Sequence, residues 1–318
     1  MSHALLLDGV SKSYSGHAAV KQLSLAVPRG TIYGILGPNG AGKSTTLRMV
    51  MNIIIRDAGT ISLLGADPER DNTVLQRVGY LPEERGLYKK MSVMDVITFF
   101  AGLKGVPAPR AKAEAARWLD RMGLADWRNA KVETLSKGMQ QKVQFITTVV
   151  HAPELLILDE PHSGLDPVNA QVLRETILQA RDEGRTVIFS THNMESAEQM
   201  CEHVCIIAGG EKVLDGNLRE VRRAYRGNRY AVAFEDASAE ADRFMESWPG
   251  FERVERTREG WLAELRADVD PRALVTAANG LDATLSHFER VQPTLHEIFV
   301  EKVGDAARPR RSPEVAHA

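Results

Sequence analysis

Thr31–Thr45 reads TIYGILGPNGAGKST, a short apolar run followed at once by a glycine-rich loop and a Lys-Ser-Thr triplet. The apolar run has the length and bounding turn residues of a strand buried on both faces. The loop fits G-x-x-x-x-G-K-[ST], and the residues after it, through Leu47 and Val50, keep a helical spacing. Strand, loop and helix in that order build a cradle for phosphate. Glycines 37, 40 and 42 let the backbone turn its N–H groups inward, and the helix N-terminus adds positive potential. The candidate nucleotide contacts are therefore Gly37, Pro38, Asn39, Gly40, Ala41, Gly42, Lys43, Ser44 and Thr45. Lys43 is expected to reach the β- and γ-phosphates, and Ser44 to ligate Mg²⁺.

Outward from that loop, Leu155–Glu160 (LLILDE) is a second buried strand with two carboxylates at its C-terminal end, where open α/β sheets bind ligands. Asp159 is placed to hold Mg²⁺ and Glu160 to polarise a water toward the γ-phosphate. The guanine-reading N-K-x-D pattern is absent, which favours ATP.

Composition sets the outer limits. The 318 residues suggest about two domains. With 40 Lys+Arg against 42 Asp+Glu the net charge is -2, so no global field favours nucleic acid, and no nucleic-acid partner is expected. No run of 18 uncharged apolar residues occurs, and MSHALLLDGV lacks the features of a signal peptide, which together predict a cytoplasmic chain. Cys201 and Cys205 are the two cysteines. With His203 they form a C-x-H-x-C run, but three ligands in five residues make a poor zinc pattern, and buried free thiols are expected.

From Ala4 to about Leu218, apolar strands alternate with amphipathic helical stretches, the pattern of a mostly parallel sheet covered by helices. The strongest strands are Thr31–Leu36, Leu155–Asp159, Thr186–Ser190 and Val204–Ala208. LLLDGVSKSY and VKQLSLAVPRG read as a more exposed antiparallel pair. Between about 88 and 135 the pattern turns helical, with Val93, Val96, Ile97 and Phe100 on one face and a second helix from Arg110. Near Arg222 the composition becomes charged and aperiodic (VRRAYRGNRY), which sets a boundary at about 225. Beyond it the expected order is a strand Arg229–Phe234, a helix Ser238–Ser247, a hairpin of Phe251–Arg256 with Trp261–Arg266, a helix Pro271–Ala278, a strand Ala283–Arg290 and a helix Thr294–Val303. That is a small ferredoxin-like α+β domain. The expected division is 1–224, 225–304 and a disordered tail 305–318.

With these motifs in place, the chain resembles the ATP-binding subunit of an ABC transporter. LSKGMQ (Leu135–Gln140) stands where that family carries its LSGGQ signature, SGLDP (Ser163–Pro167) is similar to its D-loop, and STHNM carries a histidine, His192, at the place of its switch histidine. The resemblance covers about residues 4–220. It implies an α/β P-loop ATPase with an antiparallel β subdomain and a helical insert, using ATP and Mg²⁺. It also implies a head-to-tail dimer, with itself or a homologous subunit, in which Ser136 and Gly138 of one chain cap the ATP held by the other. Ser136 as a plain helix N-cap remains the other reading of that residue. Lys137 and Met139 depart from the usual signature. Tyr14 falls where the family stacks an aromatic ring on adenine, and otherwise reads as strand packing. His192 is implied at the γ-phosphate, with Glu160 and Asp166 near it as catalytic groups. Glu83 replaces the family's glutamine near Mg²⁺ and the attacking water, where a carboxylate can still serve the metal.

LPEERGLY (Leu81–Tyr88), EPHSGLDPVN (Glu160–Asn169) and PTLHEIFVEKVG (Pro293–Gly304) are similar to the sodium- and drug-efflux branch, whose subunits carry a small C-terminal domain. The implied function is ATP hydrolysis driving export through a separate integral membrane permease, with the chain attached peripherally to the inner face of the membrane. Leu87, Tyr88 and Met91 are the expected docking residues, with internal packing as the alternative. A soluble ABC ATPase acting on the ribosome or DNA is the second functional reading. Such proteins usually join two cassettes or insert a long coiled coil, and neither is present.

Overall fold

Two long strands open the chain, with Leu and Val at most of their buried positions: β1 (His3–Tyr14) and β2 (His17–Pro28) pair antiparallel. The computed structural model describes residues 3–84, 86–235 and 239–307. After β2 come β3 (Ile32–Leu36), α1 (Lys43–Val50), β4 (Ala58–Leu63), β5 (Val78–Leu81), α2 (Val93–Leu103), α3 (Ala108–Arg121), α4 (Lys137–Val149), β6 (Leu155–Asp159), α5 (Pro167–Asp182), β7 (Thr186–Thr191), α6 (Met194–Met200), β8 (His203–Ala208) and β9 (Glu211–Asn217). β1 pairs with β4 on its other side, which completes an antiparallel sheet in the order β2-β1-β4.

The main sheet runs β5-β6-β7-β3-β8-β9, parallel except for the edge strand β9. Every residue of β3, β6 and β7 is buried, as two-sided coverage requires of such apolar runs. The expected strands therefore form, with ends shifted by a residue. β4, β5 and β9, which the periodicity did not single out, complete the two sheets. One core joins the inner faces of both sheets around α1, through Leu5, Val27, Tyr33, Leu47 and Ile157. α2 and α3 lie in the helical insert. Ser92 caps α2 by accepting the Asp95 N–H at 3.1 Å, and Val93, Val96 and Ile97 are buried at the expected helical spacing. Cys201 and Cys205 are free and buried, and burial pushes both thiols well up.

The chain divides into two units, Met1–Leu218 with the end of the chain from Lys302, and Arg219–Glu301. This division falls ahead of 225. The segment read as aperiodic contains a helix, α7 (Leu218–Ala224), with Leu218 and Val221 buried one turn apart; its four charges masked a pattern of only two apolar positions. Then follow β10 (Arg229–Phe234), α8 (Ala239–Ser247), β11 (Phe251–Arg256), β12 (Trp261–Leu265), α9 (Pro271–Ala278), β13 (Leu285–Arg290) and α10 (Leu295–Ala307), the last ending beyond Glu301. The sheet order β11-β12-β10-β13, antiparallel throughout, is the ferredoxin-like arrangement. Tyr230, Val232, Met245, Trp261 and Leu274 form its core. α10 begins one residue later than expected because Thr294 and Glu297 form a capping box, with bonds of 2.8 and 3.1 Å. It also runs on to Ala307, so the tail expected from 305 starts inside a helix; residues 308–318 and Ser238 lie outside the described residues.

Candidate functional site

The C-terminal ends of β3, β6 and β7 converge on one cleft of about 380 Å³, whose walls include Ala19, Asn39, Lys43, Thr45, Glu83 and Glu160. At its base the loop after β3 turns into α1 through Gly42, which caps the helix at φ 104. A Cβ on Gly42 would meet the Ala19 carbonyl oxygen, and one on Gly37 the Ile207 carbonyl oxygen, both well under 3.0 Å. Glycine is thus required there by conformation and by space. Lys43 is buried, and a buried ammonium must be partnered. Its Nζ donates to the Gly37 oxygen at 2.8 Å and the Pro38 oxygen at 3.2 Å, and lies 3.5 Å from Glu160 Oε1.

Asp159 ends β6 and is buried. The Ser44 hydroxyl donates to its Oδ1 at 3.1 Å, and the Ser190 hydroxyl donates to the same oxygen. Its Oδ2 is buried and has no partner among the described residues. An orphaned carboxylate oxygen beside a serine hydroxyl is a hard-oxygen pair that suits Mg²⁺. Glu160 follows at φ 48, a left-handed conformation unusual for a residue with a side chain. Its N–H donates to Ser190, with both the carbonyl oxygen and the hydroxyl at 3.2 Å. This turn swings the carboxylate away from Asp159 toward Lys43, and puts its Oε1 3.0 Å from His192 Nδ1.

Glu160, Lys43, Asp159, Ser44, His192 and Glu83 are thus brought together. Asp166 is not. It caps α5, accepting the Asn169 N–H at 3.0 Å and a bond from the Asn169 amide, and these bonds hold its carboxyl below the usual carboxylate range. Its neighbour is Gly138, where a Cβ would lie 3.9 Å from Asp166 Oδ2 and 3.4 Å from Asn169 Nδ2. Ser136 caps α4, accepting the Met139 N–H at 3.2 Å, so its reading as an N-cap holds within the chain. Neither Ser136 nor Gly138 is among the described residues that line the phosphate cleft. Tyr14 ends β1 with 43% of its surface exposed and Lys12 Nζ 5.5 Å over its ring.

Four residues at the site were missed in the sequence. Ser190 reads as one more small residue of a buried strand; only the register Asp159↔Ser190 across β6 and β7 brings it to the carboxylates. Gln141 and Gln144 of α4 reach the backbone beside Glu160 and Glu83: Gln141 Nε2 donates to the Pro161 oxygen at 2.8 Å and Gln144 Nε2 to the Glu84 oxygen at 3.0 Å. Tyr80, on β5, has its hydroxyl pushed up to about 12, first by burial and then by the charge of Asp159.

Comparison with known proteins agrees with this geometry. Residues 20–163 match the sequence profile of the ABC transporter family, and residues 216–303 that of the C-terminal domain of DrrA1-3-like ATP-binding proteins. The ABC transporter ATP-binding protein YhaQ of Bacillus subtilis (strain 168), itself uncharacterized, is 40% identical over 94% of this chain and 98% of its own length. The daunorubicin/doxorubicin resistance ATP-binding protein DrrA of Streptomyces peucetius is 32% identical over 99% and 97%. A solved ATP-binding subunit of an ABC transporter superposes with a TM-score of 0.66 at 27% identity, covering 70% of this chain and 93% of that one.

Proposed function

The chain belongs to the ATP-binding proteins of ABC transporters, in the branch that includes drug resistance, and from that premise we propose how its site works and what it assembles with. It is the ATPase subunit of a transporter, and the alternative of a soluble ATPase acting on the ribosome or DNA is set aside. The observation that carries the mechanism is Glu160 held between Lys43 and His192 at the mouth of the phosphate cleft.

ATP enters with its triphosphate along the loop Gly37–Thr45 and its adenine against Tyr14. The γ-phosphate carries more negative charge than the Glu160 carboxylate and the two neutral carbonyls that hold Lys43, so Lys43 leaves Glu160 for the phosphate. Freed of that ion pair, Glu160 takes the proton of a water as the water oxygen attacks the γ-phosphorus and the bond to the β-phosphate oxygen breaks. His192 holds Glu160 in place and donates toward the γ-phosphate. Ser44, Asp159 and Glu83 would hold Mg²⁺, which neutralises charge on the β- and γ-phosphate oxygens when bound. The site is completed by a second subunit placed head to tail, its Ser136 and Gly138 at the γ-phosphate and its Asp166 beside them.

The permease partner is a separate integral membrane protein, and the work done is export. No described helix of this chain is long and apolar enough to cross a membrane. The docking surface is the aromatic face of the helical insert. Tyr88 is 52% exposed and packs edge-on to Phe99 at 5.4 Å, and Phe99 and Leu103 are exposed beside it. Leu87 and Met91 are only half-buried there. A permease would hold the chain at the inner face of the membrane. The test is Glu160→Gln in gel filtration: with ATP it should elute as a dimer and turn over far more slowly, whereas an ATP-loaded monomer or full turnover would remove Glu160 from this role.

A further inference from the structure

Glu160 carries the reaction in a backbone conformation that a residue with a side chain rarely adopts, and such a conformation persists only where its surroundings over-determine it. Two clamps do so. On the N-terminal side Ser190 accepts the Glu160 N–H. On the C-terminal side the clamp is Gln141, whose Nε2 donates to the carbonyl of Pro161, the next residue, at 2.8 Å. Gln141 is 9% exposed, and its Oε1 has no partner among the described residues. The single bond to a carbonyl acceptor therefore fixes which way the amide points. One turn further along α4, Gln144 donates to the Glu84 oxygen at 3.0 Å and so braces the segment that carries Glu83. The N-cap of this same helix is Ser136.

We propose that Gln141 is a positioning residue for ATP hydrolysis, holding Glu160 in its left-handed conformation and tying that conformation to the signature helix α4. This rests on the reading of Glu160 as the base. Nothing in the bond touches nucleotide, so its loss should spare binding and slow only the proton-accepting step.

The test compares Gln141→Met, which keeps the volume and removes the donor, with Gln141→Glu, whose carboxyl can donate to the Pro161 oxygen only when protonated. Expected for Gln141→Met is a kcat down ten- to a hundredfold, with KM within twofold and ATP-driven dimerisation unchanged. Expected for Gln141→Glu at pH 8 is a kcat reduced at least as far, with KM again within twofold. If Gln141→Met keeps kcat within twofold, or if both variants lose ATP affinity along with kcat, the proposal is overturned. Glu160→Gln in the same assay separates the two levels. An inactive Glu160→Gln beside a fully active Gln141→Met refutes the positioning role alone, whereas a fully active Glu160→Gln removes the base and the positioning role together.

Discussion

Glu160→Gln should separate the stability of the free chain from its affinity for nucleotide. Lys43 Nζ and Glu160 Oε1 are 3.5 Å apart with side chains 6% and 9% exposed, and at an effective dielectric near 20 two unit charges at that spacing attract by about 5 kcal/mol. Removing one partner of such a buried pair costs about 3–5 kcal/mol. Here the Gly37 and Pro38 carbonyls still accept from Lys43, so a net loss of roughly 2 kcal/mol is expected. For a domain of this size that lowers Tm by about 4–8 °C. With nucleotide bound, Lys43 faces phosphate and the penalty vanishes. The apparent affinity for a non-hydrolysable ATP analogue should therefore rise roughly 30-fold, while turnover falls by about 10²–10⁴. Thermal denaturation of both proteins, with and without the analogue and Mg²⁺, reads both effects. Equal Tm values for the free proteins together with equal analogue-induced shifts would show that the Lys43–Glu160 pair does not oppose nucleotide binding.

Gly42→Ala forces a side chain into φ 104 and against the Ala19 oxygen, so ATP affinity should fall at least tenfold in a fluorescent-nucleotide titration while the β subdomain stays folded. Gly138→Ala should do the opposite to the isolated chain. A Cβ there makes only ordinary contact with Asn169 and adds about 0.5–1 kcal/mol of helix stability, so Tm holds or rises while ATP-driven dimerisation weakens at least tenfold; undiminished dimerisation would mean that no backbone approaches this glycine. His151 is pushed down to about 4 by burial, with Lys104 and Arg185 adding to the effect. Since the unfolded chain takes up this proton near pH 6.5, stability should be complete above that pH and fall as pH drops toward 4, by up to roughly 3 kcal/mol. In urea titrations at pH 7 and 5, His151→Gln should flatten this slope.

The loop Gly37–Thr45 and the carboxylates after β6 were legible because their chemistry is written in consecutive residues, and the buried strands because parallel sheets demand unbroken apolar runs. Ser190, Gln141 and Gln144 were not, since each acts on a segment far away in the chain. Ser190 meets Asp159 through sheet register, and the two glutamines reach across to loops that only the packing of α4 brings near. α7 hid behind four charges, and the positive φ of Glu160 leaves no trace in composition. Asp166 caps α5, and that cap sets its carboxylate beside Gly138 of α4, a contact that the separation of the two residues in the chain hides.

Whether two chains share each ATP is settled most directly by mixing two defective proteins, one carrying Lys43→Ala and the other Ser136→Arg. Each homodimer should be nearly inactive, since both of its sites lack an essential part. In the mixed dimer both defects fall in one site and the other is wholly wild type, so ATPase activity, or at least an ATP-occluded heterodimer, should appear on mixing in proportion to the heterodimer formed. If heterodimers form and neither turn over nor occlude ATP, Ser136 does not serve the nucleotide of the partner chain and the head-to-tail site is wrong.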